Sequence, residues 1–369
     1  MIRRKLINFP DCSTDYRLGP GALEELSRMA KGLVGSPNRA LVVSAAGLPD
    51  DIALPVRRGL IDAGFEVHGY AVPPAGDTPS LAQAMDLLAA LEDARITADD
   101  ALVAVGGQDI LSLAQFCARS WCGGTSIGLV PTTLDAMAVC ATQMRALTVG
   151  DSAEMVQLPA RPALVVADLA LVTAADAEAR KLGYLELMTS VLMDCRKAWD
   201  RFGDQLEGLL ACEEIPLVDA LTQAQAARLS AVKAANPSAR SAALYGVTTA
   251  RALRHLLGPD IPWYRLLAEG MRFEARLGVE AGKLDVDDMF EQDDRLEALG
   301  IPELGFNLDV DAFVSALRET RLKRSNRFLF SLPQQVGSIR YATVEDEVLL
   351  RHAEAYLASR AELASGGPA

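Results

Sequence analysis

The first half of this chain alternates short apolar runs with amphipathic stretches at helical spacing, and few folds satisfy that alternation. Ala40–Ala45, Ala101–Val105, Ser126–Val130 and Ala163–Ala167 are too short for helices and mostly lack polar alternation, so they read as strands covered on both faces. Phe65–Tyr70 alternates like a half-buried strand. Between these lie a segment with Val56, Leu60 and Ile61 at helical spacing, a strong helix over 80–94 with Ser80 placed to cap it, and a further helix over 110–120. Strands alternating with helices predict an α/β domain around a parallel sheet, assigned to residues 1–175. Beyond about residue 175 the pattern becomes helical, over 176–202, 204–212, 216–235, 239–257, 263–281, 309–321 and 343–360. Only 327–331 and 338–341 look strand-like there, so residues 176–369 are expected to form a mostly helical domain with one short strand pair.

The chain is 50% hydrophobic but only 5% aromatic, so its cores must be built from Ala, Leu and Val. Asp and Glu number 49 against 36 Lys and Arg, a net charge of −13. Such a surface repels phosphate backbones and anionic bilayers, and neither a nucleic-acid nor a membrane partner is expected. No apolar run reaches the roughly 18 residues of a spanning helix, and the basic start lacks the apolar stretch of a secretory signal. The six cysteines form no Cys-x-x-Cys pair, which suits reduced thiols in the cytoplasm. Three histidines, His68, His255 and His352, leave little for metal binding or proton transfer. The acidic run Asp285–Glu297 lacks the central glycine of a calcium loop and reads as a solvated helix–loop face.

Chemistry is expected at two strand ends. Ala101–Val105 runs into Gly106-Gly107-Gln108-Asp109 and then a helix. Glycines there let backbone N–H groups approach a phosphate, and the helix start favours its charge; the alternative is simply a tight turn. Ile127–Val130 runs into Pro131-Thr132-Thr133-Leu134. Hydroxyls at the carboxyl end of a parallel strand sit where open α/β sheets bind ligands and could donate to a ribose, phosphate or carboxamide; the alternative is a cap on the next helix.

These motifs, with Leu18-Gly-Pro-Gly-Ala-Leu23, Leu164–Asp168, Gly183-Tyr-Leu-Glu186, Gly300-Ile-Pro302 and Leu322-Lys-Arg324, follow one another as they do in the 3-dehydroquinate synthase family. The chain resembles that family over nearly its whole length, and glycerol dehydrogenases more distantly. The resemblance implies a Rossmann-like α/β domain that binds NAD, followed by a mostly α-helical domain. It also implies a homodimer, a small-molecule substrate and a divalent metal, usually zinc. Family members turn a seven-carbon phosphorylated keto acid into a carbocycle by transient oxidation, phosphate loss, re-reduction and ring closure. NAD is then expected on Gly106, Gly107, Thr132 and Thr133, with Asp77 as the acidic ribose contact. Gln108 replaces a third glycine and puts a side chain where backbone should approach pyrophosphate.

The chain departs from the family where its chemistry is done. Glu186 matches the metal-binding glutamate, but the two ligand histidines fall on Val247 and Trp263, which have no lone pair to offer. A catalytic histidine falls on Arg251. Family lysines fall on Ser80, Arg145, Glu154 and Thr189, family aspartates on Ser112 and Val139, and an asparagine on Leu244. Arg240 keeps a substrate-binding arginine. The metal is therefore expected to be absent, and Glu186, Arg240, Arg145 and Arg251 are the residues left for catalysis. Without a metal, Glu186 needs a cation, and Arg251 or Arg240 is the expected partner, with Trp263 plugging the vacated space. Three functions stay open: a 3-dehydroquinate synthase-like carbon-oxygen lyase, in the simplest case that synthase itself or else a divergent NAD-dependent cyclase acting on a phosphorylated keto sugar acid without the usual metal site; a non-catalytic homologue that binds a nucleotide or metabolite and regulates a partner; and an NAD-dependent alcohol dehydrogenase-like oxidoreductase.

Overall fold

The structure, a computed structural model, describes residues 1–74, 78–150 and 152–366. The chain gathers into two compact units, Met1–Gly183 with Cys212–Gln225, and Tyr184–Ala211 with Ala226–Ala369.

The first unit is an α/β domain. Its strands are β1 (Arg3–Asn8), β2 (Ser13–Gly19), β3 (Arg39–Ala45), β4 (Glu66–Val72), β5 (Ala101–Gly106), β6 (Ser126–Pro131), β7 (Leu147–Val149), β8 (Ser152–Val156) and β9 (Leu164–Asp168). Its helices are α1 (Leu26–Ala30), α2 (Asp50–Ala63), α3 (Leu81–Asp93), α4 (Gln108–Ser120), α5 (Leu134–Val139) and α6 (Leu169–Thr173). Seven strands form one sheet in the order β1-β2-β9-β6-β5-β3-β4, parallel except for the edge strand β1. β5 is buried throughout because β3 and β6 flank it and α4 packs across all three, which explains its unbroken apolar run. Leu26, Val56 and Leu60 pack on Val103 and Val105. The expected cap of α3 forms as a reciprocal box between Ser80 and Gln83.

Two buried carboxylates tie the sheet to its turns. Asp168 accepts the backbone N–H groups of Gly21 (3.0 Å), Leu23 (2.9 Å) and Ala170 (3.0 Å). Asp100 accepts those of Arg39 (2.9 Å) and Thr97 (2.8 Å), with Asn38 at 3.1 Å. Burial alone would raise the Asp100 pKa, but these donors outweigh it and hold it below the ordinary carboxyl value.

The second unit is mostly helical. α7 (Ala177–Leu192) and α10 (Glu214–Lys233) contribute residues to both units. The rest are α8 (Arg196–Asp204), α9 (Leu206–Leu210), α11 (Pro237–Arg240), α12 (Val247–Leu257), α13 (Trp263–Glu280), α14 (Val286–Ala298), α15 (Val310–Leu322) and α16 (Asp346–Ser365), with β10 (Phe330–Gln335) paired to β11 (Ser338–Ala342). α13 is its axis. Glu269 on α13 is fully buried and accepts from Arg272 (3.0 Å), the Leu304 amide (2.9 Å) and the Tyr356 hydroxyl, with Arg360 Nε 2.9 Å away as an ion-pair partner. α12 reaches α13 through two glycines: a Cβ on Gly270 would stand 2.0 Å from the Gly246 carbonyl oxygen.

Four expectations need correction. The helix expected over 176–202 breaks after Leu192, where the Gly337 N–H docks on the Leu192 carbonyl (2.7 Å) and Cys195 turns extended. The strand expected at 327–331 begins only at Phe330. The acidic run is not merely a solvated face. Met289, Gln292, Arg295 and Leu296 turn inward on α14, and Glu291 and Asp293 pair with Arg196, Arg295 and Arg276. β1, β2 and the β7–β8 pair were not anticipated, because their sequences are short and largely polar. Among the described residues, no helix is long and apolar enough to cross a membrane.

The Gly246–Gly270 contact sets the first prediction. Gly270→Ala forces α12 away from α13 and destabilises the protein by about 3 kcal/mol. Urea denaturation measures it, and an unchanged midpoint contradicts the contact.

Candidate functional site

The sheet order marks where a ligand fits the first unit. The chain leaves β3 for β4 on one side and returns to β5 on the other, so the crevice at the carboxyl ends of β3 and β5 is a topological switch point. A cleft of about 420 Å³ lies there. Ala45 and Ala46 line it from the end of β3, Gly107–Ile110 from the head of α4, and Thr133, Asp135 and Arg145 from beyond β6.

Gly106 and Gly107 are glycines for different reasons. Gly106 has φ +153°, and a Cβ there would press on Ile110 at 3.2 Å. Gly107 has an ordinary φ of −74°, and a Cβ would meet nothing closer than Thr133 Oγ1 at 3.8 Å. The fold does not require glycine at 107; only a guest lying against the backbone would. Gly107 is the N-cap of α4, and no side chain caps that helix.

Thr133 precedes α5 in extended conformation but does not cap it, so the capping alternative fails. Its Oγ1 is buried without a hydrogen-bond partner. Thr132 is partly buried and gives its N–H to the Gly106 carbonyl (3.0 Å). The obstruction expected from Gln108 does not arise in that form: its side chain is buried and Nε2 donates to the Gln143 carbonyl at 2.8 Å, leaving Oε1 unpartnered. Arg145 also lines the cleft, with Nη1 2.7 Å from Asp109 and Nη2 3.7 Å from Glu154. Burial works against its charge, but these two acids outweigh it and raise its pKa above the ordinary arginine value. Asp77 lies outside the described residues.

In the second unit, Glu186 has a partner that sequence reasoning missed. Arg228, on α10 and buried, binds the Glu186 carboxylate through Nη2 and also reaches the Glu186 carbonyl at 3.2 Å. Its Nε donates to Ser190 Oγ at 2.8 Å, and that hydroxyl donates to the Glu186 carbonyl at 2.6 Å. The expectation of an arginine was right in kind, but neither Arg251 nor Arg240 is shown as that partner. The signal was present as a lone charge in the run Ala226-Ala227-Arg228-Leu229. Arg240 is exposed at the end of α11 and has no carboxylate partner among the described residues. Arg251 is partly buried on α12.

Val247 and Trp263 are the first residues of α12 and α13. Trp263 is only partly buried, so it is not the core plug expected. Among the described residues, no group of three His, Cys, Asp or Glu side chains could hold a metal ion. His352 is buried, with Nε2 3.0 Å from the Phe273 carbonyl and burial lowering its pKa to about 4.

Glu274 was also missed, a single acid among Phe273, Ala275 and Leu277. It is wholly buried and caps α12 from outside, accepting the N–H of Gly246 (2.8 Å) and both the N–H (3.2 Å) and hydroxyl (2.9 Å) of Thr249. Burial pushes its pKa up to about 7, although these donors and Arg321 pull the other way.

Residues 70–181 match the family model for the N-terminal part of 3-dehydroquinate synthase. The 3-dehydroquinate synthase of Nostoc punctiforme is 25% identical over 360 residues, covering 93% of this chain and 95% of that one. The enzyme of Thermobifida fusca is 27% identical over 371 residues, covering 95% and 94%. Among solved structures, 2-deoxy-scyllo-inosose synthase complexed with carbaglucose-6-phosphate, NAD+ and Co2+ aligns with a TM-score of 0.83 at 18% identity, covering 95% of this chain and 99% of that one. The 2-epi-5-epi-valiolone synthase of Streptomyces hygroscopicus subsp. jinggangensis, with NAD+ and Zn2+ bound, aligns at 0.80 and 17%, covering 96% and 99%. The glycerol dehydrogenase of Schizosaccharomyces pombe aligns at 0.63 and 15%, covering 96% and 92%. The chain is thus 3-dehydroquinate synthase-like in sequence and in fold.

One prediction comes from the buried Arg228 and its partly exposed partner Glu186, and one from the buried Glu274. Arg228→Met leaves Glu186 without its cation and costs about 3 kcal/mol, read by urea denaturation; an unchanged midpoint removes the pair from the fold. Glu274 binds its proton more tightly folded than unfolded, so its contribution falls as pH rises from about 4.5 to about 7 and stays low above. The stability of wild type relative to Glu274→Gln should therefore drop by about 3 kcal/mol across that window. A flat difference contradicts the raised pKa.

Proposed function

We propose that this chain binds NAD in the cleft at the head of α4 and is a non-catalytic homologue of the 3-dehydroquinate synthase type, acting without a metal. One contrast carries this reading. The cleft presents an uncapped helix start, a glycine the fold does not need and a buried hydroxyl without a partner, while the positions for metal chemistry hold Val247, Trp263 and a glutamate engaged by Arg228.

For the pyrophosphate, the Gly106–Gly107 turn allows close approach, and the first amides of α4 point their dipoles at it. Thr133, with Thr132 beside it, offers a hydroxyl to a ribose or carboxamide. Arg145 supplies the countercharge, and Asp77 is kept as the proposed ribose contact. Bound NAD would bring a hydride acceptor. The residues of the second unit do not fit a metal, since a valine and an indole offer no donor and the remaining carboxylate already neutralises a guanidinium. A cytoplasmic homodimer that regulates a partner completes the reading.

Arg240 favours a second reading, a divergent cyclase that handles a phosphorylated keto sugar acid without metal. It is the one of the four candidate catalytic residues that is exposed and unpaired among the described residues, as an anion-binding cation must be.

Calorimetric titration with NAD+ tests the binding. Wild type should bind, and Gly107→Ala should lose about tenfold in affinity at an unchanged melting temperature. Absence of NAD+ binding to wild type overturns the reading. A coupled assay with the heptulosonate phosphate should show no turnover, with zinc or with chelator. Turnover that survives chelator moves the assignment to the second reading, and zinc-dependent turnover defeats both.

A further inference from the structure

The head of α4 already holds a negative charge. Asp109 stands in the first turn of this 13-residue helix, where backbone N–H groups and the dipole favour an anion, and its Oδ1 accepts from Arg145 at 2.7 Å. The same wall contains two polar atoms that the protein leaves without partners: Oε1 of Gln108, a side chain more than nine-tenths buried, and Oγ1 of Thr133. Such atoms carry a cost unless a polar guest reaches them. Asp135 lines the cleft as well, and Glu154 stands 3.7 Å from Arg145, so three carboxylates surround one guanidinium. A phosphate arriving there meets net negative charge, and Arg145, the one cation on the cleft wall among the described residues, is already engaged.

We infer that Asp109 is a built-in stand-in for a ligand phosphate: its carboxylate occupies Arg145 at the head of α4, and a phosphate-bearing ligand binds by taking Arg145 over. This rests on the reading of the cleft as a dinucleotide site and goes beyond it by naming a residue that opposes binding. Asp109 is half-exposed on a helix surface, so its carboxylate can swing clear with little rearrangement. A guanidinium exchanges one oxyanion for another without losing hydrogen bonds, because carboxylate and phosphate offer it the same acceptors. Affinity for phosphate is thereby set by a competition inside the chain.

Asp109→Asn keeps the side-chain shape and removes the competing charge. It should bind NAD+ and inorganic pyrophosphate roughly tenfold more tightly than wild type. Its ligand-free melting temperature should fall by about 1–3 °C, because the ion pair and the favourable first-turn charge are lost. A purely structural residue would move stability and affinity in the same direction. Arg145→Met should weaken both ligands, and adding Asp109→Asn to it should restore little, because the competition acts through the guanidinium. Equal or weaker pyrophosphate binding by Asp109→Asn, or a full tenfold gain in the Arg145→Met background, overturns the stand-in role. If wild type takes pyrophosphate but not NAD+, and Asp109→Asn tightens pyrophosphate, the dinucleotide reading falls and the competition stands. If neither protein binds either ligand, both fall.

Discussion

Glu269 sits fully buried on α13, and the second unit is organised around it. Arg272 approaches from its own helix, Arg360 and Tyr356 from α16, and the Leu304 amide from the segment after α14. Arg360 is itself buried and also grips Glu303 at 2.8 Å. A carboxylate with no water around it tolerates no vacancy among its donors, since removing one partner of a buried pair costs about 3–5 kcal/mol. The C-terminal helix is held in register by this cluster as much as by its apolar face. In a chain so poor in aromatic side chains, buried charge supplies a specificity that bulky ring packing supplies elsewhere.

The same device recurs at the other buried acids and at the partly buried Glu186. Asp100 and Asp168 take backbone N–H groups, Glu274 caps a helix from outside, and Glu186 takes Arg228. The consequence is chemical. These carboxylates are engaged by the protein itself; of the histidines, His352 donates to a main-chain carbonyl, His255 is exposed and His68 stands 3.4 Å from Glu66. What remains open is the strand-end crevice of the sheet, where polar groups lack partners.

The parallel sheet was legible because its central strands are buried on both sides and therefore uniformly apolar, as in Ala101–Val105. The edge strand Arg3–Asn8 was not, because an exposed β1 alternates weakly and its basic residues answer to Asp15 on β2 and to Asp219 far along the chain. Gly106, Gly107 and Thr133 could be placed from spacing alone, since a strand, a turn and a helix fix their position locally. Arg228 and Glu274 could not, because each acts on a helix distant in sequence. The break after Leu192 belongs to the same class: its cause is the hairpin turn at Gly337, 145 positions later.

The neighbouring glycines of the first unit answer to different masters. One is dictated by the polypeptide's own geometry, the other is not. A side chain at 106 would press on Ile110 in a strained backbone, whereas one at 107 would enter the crevice and leave the turn undisturbed. The pair thus separates a position where bulk would cost the turn its shape from one where bulk would only cost the crevice its volume.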